Sequence, residues 1–462
     1  MAYDHTKQYR AVIVRGKGIS DLDNFLPTYA NILNEICPIP QAEFKEAFNE
    51  RIFRLLDTGV EKTLDNHRTE IAGKLFGMYY TDESDNVCIS HRASKLLEDS
   101  DQPAFFKDLC AKYQFPSGMN KIEQTVKPQL ALGVSCRQFA YVIAVLQCLE
   151  EKDIFITKKQ VGYYILNSLD VFTRTASPRE VSEQIIDDIN QSIEREIYVP
   201  DKATSYTYQH VNEQLNLLVL ANAIRFVGNS VRLNKREKPY LDALAAAWSK
   251  EPLFDFKQYD LDSIEGRKAA EFAWNKYFSS MSDIDDSLLF TDVQALEDDE
   301  HEQGVFYAKF TKGRQGENMV ALGDEGEHYV YEYERSKVND INPRLANRVK
   351  KLGRIKGIGY DIQSVLGERE RQDWAKYIEV KATKRVTAPA GNFNDSINLT
   401  RNEWIAAQQF SDCYFIYRVY FTEHGVKLFI IPNPYQQNEN DTLTCIATNY
   451  RLDFTENSGS FI

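Results

Sequence analysis

Apolar residues recur along the chain with two spacings, and the spacing changes from one segment to the next. Recurrence every three or four residues makes one face of a helix apolar, so this spacing predicts amphipathic helices. Short runs rich in β-branched and aromatic residues, bounded by polar turns, predict strands instead. In the N-terminal half, helical spacing covers residues 43–56, 60–75, 136–149, 215–223 and 238–248.

Two strand pairs interrupt these helices. Residues 75–80 and 87–90 flank a polar turn, and residues 223–227 and 230–233 flank a Gly-Asn dipeptide, which is typical of tight hairpins. Helices combined with such hairpins predict two small winged-helix units. The same pattern also fits other α+β subdomains.

A different order of elements follows in the C-terminal part. Thr400 and Glu403 have the spacing of a capping box at the start of a helix. The order is helix, strand, strand, helix, strand, with the helices starting at Gly323 and Thr400 and the strands at residues 359–362, 377–383 and 413–421. Further strands are predicted at residues 427–431 and 446–454.

The second of these strands carries a Glu-Val-Lys tripeptide. Successive side chains of a strand point to opposite faces, so Glu379 and Lys381 share a face and Val380 points away. Pairing with the preceding strand would bring Asp361 beside them. Two carboxylates and a lysine together are suited to holding a hard cation and activating water for phosphodiester hydrolysis. A Glu-x-Lys tripeptide on its own is also typical of a surface charge pair.

Together these motifs resemble the PD-(D/E)xK nuclease superfamily. The sequence motifs GE, YDI, YIEVKAT and T-x-x-E-W are similar to those of the nuclease-like domain found at the C-terminus of the plant protein NO VEIN and in many prokaryotic defence proteins. The resemblance covers residues 313–434. One departure is Tyr360, which replaces the proline that precedes the aspartate in the superfamily.

The resemblance implies a role for each motif residue. Asp361 and Glu379 would bind one or two Mg²⁺ ions, with the Val380 carbonyl as a further ligand, and Mn²⁺ would substitute. Lys381 would orient or help deprotonate the attacking water. Glu327, on the first helix, would lie in the outer coordination shell or complete a second metal site.

The N-terminal half resembles the DNA-recognition half of type IIS restriction and nicking endonucleases. Those enzymes carry winged-helix subdomains ahead of a separate cleavage domain. Phrases such as FFKDL, KPQLALGV, ITKKQVGYYIL and ANAIRFVGNSVRLN carry this resemblance over residues 44–244. It implies a helix that enters the major groove, whose candidate DNA contacts are Lys158, Lys159, Gln160 and Tyr163. These residues would equally form the exposed face of an ordinary helix.

Charge narrows the expected mode of DNA binding. The net charge of −13 argues against a general nucleic-acid binder, although a local basic groove is enough to contact phosphates. Residues 341–360 contain six basic residues and no acid, and they form either such a groove or a solvated helix face. The candidate phosphate contacts there are Arg344, Arg348, Lys350, Lys351, Arg354 and Lys356.

The chain of 462 residues is too long for one ordinary core. We expect a multidomain α+β protein with an N-terminal helical winged-helix DNA-recognition region. A C-terminal α/β PD-(D/E)xK nuclease core with a mixed sheet follows it. The predicted divisions are two winged-helix-like subdomains at residues 1–110 and 111–250, a helical and acidic linker at 251–303, the nuclease domain at 304–434 and a tail with a strand at 435–462.

Within the predicted linker, residues 254–277 are expected to be helical and residues 282–303 are rich in acids. The acids either form a plain spacer or keep the basic surface of the cleavage domain off DNA until the recognition site is bound.

The expected function is that of a prokaryotic, cytoplasmic, site-specific DNA endonuclease of restriction type that cuts at an offset from its site. Its partners would be double-stranded DNA, a second copy or partner subunit for double-strand cleavage, and a cognate DNA methyltransferase. No membrane is expected, because no apolar run approaches the roughly 20 residues of a span. The scattered cysteines favour neither a zinc site nor a disulfide framework. The alternatives are a modification-dependent or other antiphage nuclease, and a DNA-binding regulator with a non-catalytic nuclease-like domain.

Overall fold

The computed structural model describes residues 12–14, 18–56, 60–197, 204–296 and 322–445, apart from 354, 356, 369, 390–392 and 394. The chain divides into two compact units, and the division falls within three of its strands. The first unit comprises Met1–Glu317, Thr383–Ser396 and Tyr420–Lys427, and the second comprises Asn318–Ala382, Ile397–Val419 and Leu428–Ile462.

The first unit begins with helices around a small antiparallel sheet of strand order β1-β3-β2. Ser90 and Asp101 cap two of the helices, because each side chain accepts a hydrogen bond from a backbone N–H of the first turn. The elements are α1 Ile19–Ile36, β1 Ile39–Pro40, α2 Gln41–Leu56, α3 Glu61–Asp65 with a π-helical continuation Asn66–Leu75, β2 Tyr79–Thr81, β3 Asn86–Ile89, α4 His91–Asp99 and α5 Gln102–Lys112.

A second sheet of order β4-β6-β5 follows, and the predicted Gly-Asn hairpin is confirmed. Gly228 has a φ of +59°, which a tight primed turn requires at its first central position. The elements are a π-helical turn Ile122–Val126, α6 Lys127–Ala131, α7 Gln138–Glu150, β4 Ile156–Thr157, α8 Lys158–Val161 with a π-helical continuation Gly162–Leu166, α9 Leu169–Phe172, α10 Pro178–Asn190, α11 Thr204–Leu220, β5 Ile224–Val227, β6 Ser230–Leu233, a 3₁₀ turn Lys235–Glu237 and α12 Lys238–Ala245.

The prediction of a continuous helix over residues 254–277 is wrong in its first part. Asp255 caps only a 3₁₀ turn, and Ser263 then caps a new helix by accepting a hydrogen bond from the Gly266 N–H. Both side chains compete with helix continuation across this region. The elements are the 3₁₀ turn Phe256–Gln258, α13 Ile264–Ser279, α14 Asp286–Leu289 and α15 Val293–Leu296.

The described part of the acid-rich stretch, residues 282–296, packs within the first unit. Leu289, Val293 and Leu296 are buried, and Asp283 forms an ion pair with the buried Arg137 at 2.7 Å. Its apolar positions therefore anchor it although its composition is acidic. Residues 297–303 lie outside the described part of the chain, as does the strand predicted at residues 446–454.

The second unit contains most of a five-stranded sheet of order β11-β10-β9-β8-β7. Helices pack on both of its faces. The ring of Tyr377 stacks on Phe410 of one helix, and on the opposite face Gly326 of another helix leaves no room for a Cβ beside Ala382. The elements are α16 Leu322–Ile341, a 3₁₀ turn Ala346–Arg348, β7 Lys350–Lys351, β8 Ile362–Val365, β9 Ala375–Lys384, α17 Arg401–Phe410, a 3₁₀ turn Ser411–Cys413, β10 Tyr414–Thr422, β11 Gly425–Pro432 and α18 Pro434–Glu439.

A buried ionic network holds α16 against the sheet. The Glu334 carboxylate accepts hydrogen bonds from Lys376 Nζ at 2.8 Å, Tyr417 OH at 2.5 Å and Ser364 Oγ at 2.7 Å. Burial opposes ionisation of Glu334, but Lys376 and the two hydroxyls outweigh it, so the pKa of Glu334 lies below its usual value. The network ties the helix to β8, β9 and β10.

Removing one member of this network leaves a buried charge without its partner. We expect Lys376→Met to lower the free energy of unfolding by about 3–5 kcal/mol, and the double variant Glu334→Leu/Lys376→Met to recover most of the loss. Urea unfolding measures both changes. The control is Lys238→Met, which removes an exposed ion pair to Asp242 and should cost about 1 kcal/mol or less. Equal losses of unfolding free energy in Lys376→Met and Lys238→Met would contradict a stabilising role for the network.

Candidate active site

The pairing of β8 with β9 brings Asp361 beside Glu379. The two strands are antiparallel with Ile362 opposite Ile378, so the residue preceding Ile362 faces the residue following Ile378. The Asp361 N–H donates to the Ile378 carbonyl at 2.9 Å, and its Oδ2 accepts from the Val380 N–H at 2.8 Å. Asp361 lies immediately before β8 rather than within it.

Lys381 shares the face of β9 with Glu379, as the alternation predicts. Its Nζ lies 2.7 Å from Glu379 Oε1 and 3.0 Å from Glu403 Oε2. The lysine ammonium is thus held between two carboxylates from different elements. The structure brings together Asp361, Glu379 and Lys381 from sequence positions that are 20 residues apart at most.

Glu403 is the residue that sequence reasoning missed at this site. Its predicted capping box is confirmed, because Thr400 Oγ1 accepts from the Glu403 N–H and Glu403 Oε2 accepts from the Thr400 N–H. The same Oε2 also contacts Lys381, so Glu403 serves both the helix start and the site. The signal is the T-x-x-E-W motif, from which we predict the helix cap and draw the family resemblance without assigning Glu403 to the site.

Burial and mutual repulsion perturb the acids of the site. Burial and the neighbouring Asp361 raise the pKa of Glu379 to about 8, although Lys381 opposes the shift. Burial also raises the pKa of Asp361. Burial lowers the pKa of Lys381, but Glu379 and Glu403 outweigh it and the net shift is upward. The site therefore concentrates negative charge that a cation would stabilise.

Glu327 reaches the same place from α16. Its carboxylate and that of Asp361 converge on Gly353, where a Cβ would lie 2.8 and 2.9 Å from the two Glu327 oxygens and 3.0 Å from Asp361 Oδ1. Burial and the nearby Asp361 raise the pKa of Glu327, and Lys351 Nζ lies 3.7 Å from its Oε2. Glu327 thus joins Asp361, Glu379 and Glu403 as a fourth acid of the site.

These residues fit a hard divalent cation. Carboxylate oxygens are the ligands that Mg²⁺ prefers, and those of Glu327 and Asp361 come together beside Gly353. Among the described residues, no three acidic, histidine or cysteine side chains already converge as a complete ligand set. Val380 donates its N–H to Asp361, and the ligand role of its carbonyl stays a prediction.

The basic residues predicted to contact phosphate lie next to this site in the chain. Lys350 and Lys351 form the edge strand β7, and Arg344 and Arg348 are exposed on the preceding turn rather than on a helix face. Arg348 Nη1 donates to the Asp373 carbonyl at 3.2 Å. Arg354 and Lys356 lie outside the described residues.

The candidate DNA contacts of the first unit follow the predicted cap at Thr157. Lys158 Nζ lies 3.4 Å from the centre of the Phe226 ring, and Lys159 is exposed, with its Nζ 5.6 Å from the centre of the Tyr208 ring. Gln160 completes the capping box with Thr157, and Tyr163 packs edge-on against Tyr164. Lys159 is therefore the best placed of the four to reach a ligand.

No helix among the described residues is long and apolar enough to cross a membrane.

Comparisons with known proteins cover both parts of the chain. Residues 326–431, which include Glu327, Asp361, Glu379, Lys381 and Glu403, match the family model described as protein NO VEIN, C-terminal. The crystal structure of pyrene- and phenanthrene-modified DNA in complex with the BpuJ1 endonuclease binding domain matches at 45% identity with a TM-score of 0.57. The match covers 60% of this chain and 99% of that chain. No curated protein matches this chain.

Both resemblances drawn from the sequence are confirmed by these matches. The family model described as restriction endonuclease BpuJI, N terminal, matches residues 3–275, more than half of the 462 residues. The chain therefore belongs to the BpuJI restriction endonuclease N-terminal family.

Proposed function

We propose that this chain is a site-specific, Mg²⁺-dependent DNA endonuclease of restriction type that recognises DNA through its N-terminal part and hydrolyses it in the second unit. The observation that carries the proposal is the convergence of Asp361, Glu379 and Lys381 on one face at the β8–β9 pair. The family of the N-terminal part and the DNA complex of its structural neighbour support recognition of DNA.

The acids would hold the cation. Asp361 is fixed by its hydrogen bond from the Val380 N–H, and the Glu327 carboxylate approaches it from α16 beside Gly353. Glu379 would join them once the cation offsets the burial and the repulsion from Asp361 that raise the pKa of Glu379. A bound Mg²⁺ would polarise the scissile phosphate and make a coordinated water more acidic.

Lys381 would act on the attacking water and on the phosphate. Its ammonium lies between Glu379 and Glu403, which restricts where its N–H donors can point. A fixed cationic donor beside the phosphate stabilises the negative charge that builds up in the transition state. Lys381 would also orient the water for attack. One such site cuts one strand, so a double-strand break needs a second copy, a partner subunit or sequential nicking.

Recognition would use the segment after Thr157 as a reading helix and the β5–β6 hairpin as its wing. The contact between Lys158 and the Phe226 ring joins the two elements within the first unit. Lys159 remains exposed on the first turn, where a winged helix places residues that reach a groove. The basic residues Arg344, Arg348, Lys350 and Lys351 would contact the DNA backbone near the cleavage site.

Loss of the lysine ammonium should abolish cleavage and spare binding. For a DNA that the wild type cleaves, we expect Lys381→Ala to slow single-turnover cleavage by about 100-fold or more. The Kd for the same DNA should change less than about twofold. The matched control is Lys427→Ala, an exposed lysine on β11, which should cleave like the wild type. Unchanged cleavage by Lys381→Ala would contradict the proposed role.

Glu403 should act as a positioning residue for Lys381. Glu403→Gln keeps an oxygen for the capping box but removes the charge that holds the ammonium. We expect the cleavage rate to fall by about 10- to 100-fold, with unchanged KM and thermal midpoint. Glu403→Ala should lose the rate and also some stability, because it loses the cap as well. A wild-type rate in Glu403→Gln would show that Lys381 needs no second carboxylate.

Without metal, Glu379 should make the protein less stable as pH rises. Because its folded pKa of about 8 exceeds the ordinary 4.5, the folded chain keeps a proton that the unfolded chain releases between these values. The stability contributed by this proton is present below the lower pKa and lost through the upper one. In EDTA, we expect the thermal midpoint of the wild type to fall relative to that of Glu379→Gln between pH 5 and pH 8.

Adding Mg²⁺ at pH 8 should then stabilise the wild type more than Glu379→Gln, because a ligand that binds the folded state shifts the unfolding equilibrium. Parallel pH curves for the two proteins, or an equal response to Mg²⁺, would count against Glu379 as a cation ligand.

A further inference from the structure

Gly353 lies at the centre of the acidic site, although no sequence motif includes it. It follows Leu352, whose N–H donates to the Asp361 carbonyl at 2.6 Å, and it lies in a turn closed by a hydrogen bond from the Ile355 N–H to the Leu352 carbonyl. These two bonds fix the backbone of Gly353 beside Asp361. Gly353 is also exposed, so solvent reaches this turn.

The backbone of Gly353 does not require glycine. Its φ is not in the left-handed region, so an alanine could adopt the same conformation. The constraint comes from space alone. A Cβ would lie 2.8 and 2.9 Å from the Glu327 oxygens, closer than real Cβ contacts allow, and 3.0 Å from Asp361 Oδ1, which is tighter than most.

We propose that Gly353 sets the size of the cation site, because its missing side chain keeps open the space between Glu327 and Asp361 in which the divalent cation binds. This inference rests on the proposed function and makes Glu327 a direct ligand rather than a distant support. The point where the Cβ would stand is the point on which three carboxylate oxygens of two residues converge.

A methyl group at this position should harm the site more than the fold. The atoms it would displace first are the carboxylate oxygens at the far end of the flexible Glu327 side chain, which can rotate away at low cost. Rotation would remove Glu327 from the space it shares with Asp361. Gly353→Ala should therefore keep its fold and lose cation affinity.

Mn²⁺ binding to the full-length protein, followed by the electron paramagnetic resonance signal of free Mn²⁺, tests this directly. We expect Gly353→Ala to weaken Mn²⁺ binding by about tenfold or more, the size of loss seen when the surroundings of metal ligands are disturbed. The matched control is Gly323→Ala in α16, where a Cβ meets nothing within 4 Å and affinity should stay within about twofold of wild type.

Mn²⁺ binding by the variant Asp361→Asn distinguishes failure of this inference from failure of the proposed function. If Asp361→Asn loses Mn²⁺ and Gly353→Ala binds like wild type, the role of Gly353 is overturned and the metal-dependent site stands. If the wild type itself binds no Mn²⁺, both are overturned.

A measurement on the wild type covers the case in which Gly353→Ala fails to fold. Crystals soaked in Mn²⁺ should show an anomalous peak between the carboxylates of Glu327 and Asp361, next to the Gly353 Cα. A peak that excludes Glu327, or one away from Gly353, would overturn the inference.

Discussion

The register between β8 and β9 is the constraint on which the candidate site depends. Opposition of Ile362 and Ile378 places Asp361 next to Glu379, and the Val380 N–H then holds the Asp361 carboxylate. A shift of one residue would turn every side chain of the strand to the other face and separate the acids. The buried ion pair of Glu334 and Lys376 secures this register from the opposite face of the sheet.

Two lysines of β9, Lys376 and Lys381, have different surroundings. Lys376 has a carboxylate and a phenol within hydrogen-bond distance and is nearly inaccessible to solvent. Lys381 is about one-fifth exposed and lies between two acids that repel each other and Asp361. The first arrangement stabilises the sheet, whereas the second retains excess negative charge that a cation and a phosphate can use.

Local patterns were enough to predict the parts of the site that depend on one strand or one pair of strands. Alternation along β9 placed Glu379 with Lys381, and the capping spacing located Thr400. The contact of Glu403 with Lys381 depends on how α17 lies against the sheet, and the approach of Glu327 to Asp361 beside Gly353 depends on how α16 does. Spacing along the chain specifies neither arrangement.

The same limit applies to residues 251–303. The acid-rich composition of residues 282–303 predicts a linker, and it does not indicate that Leu289, Val293 and Leu296 among the described residues are buried within the first unit. Helical spacing over residues 254–277 was real only after Ser263, where a side-chain cap starts the helix. In both places tertiary contacts or a single cap outweigh the average character of the segment.

The central claim is that the cluster of Asp361, Glu379 and Lys381 hydrolyses DNA at a site chosen by the N-terminal part. Sequencing the DNA ends that the wild type and Asp361→Asn release from a randomised duplex library with Mg²⁺ tests it most directly. The wild type should release 5′-phosphate ends at a fixed distance from one shared sequence, and Asp361→Asn should release none while still binding that sequence. A wild type that binds the sequence yet releases no ends with Mg²⁺ or Mn²⁺, or an active Asp361→Asn, would contradict it.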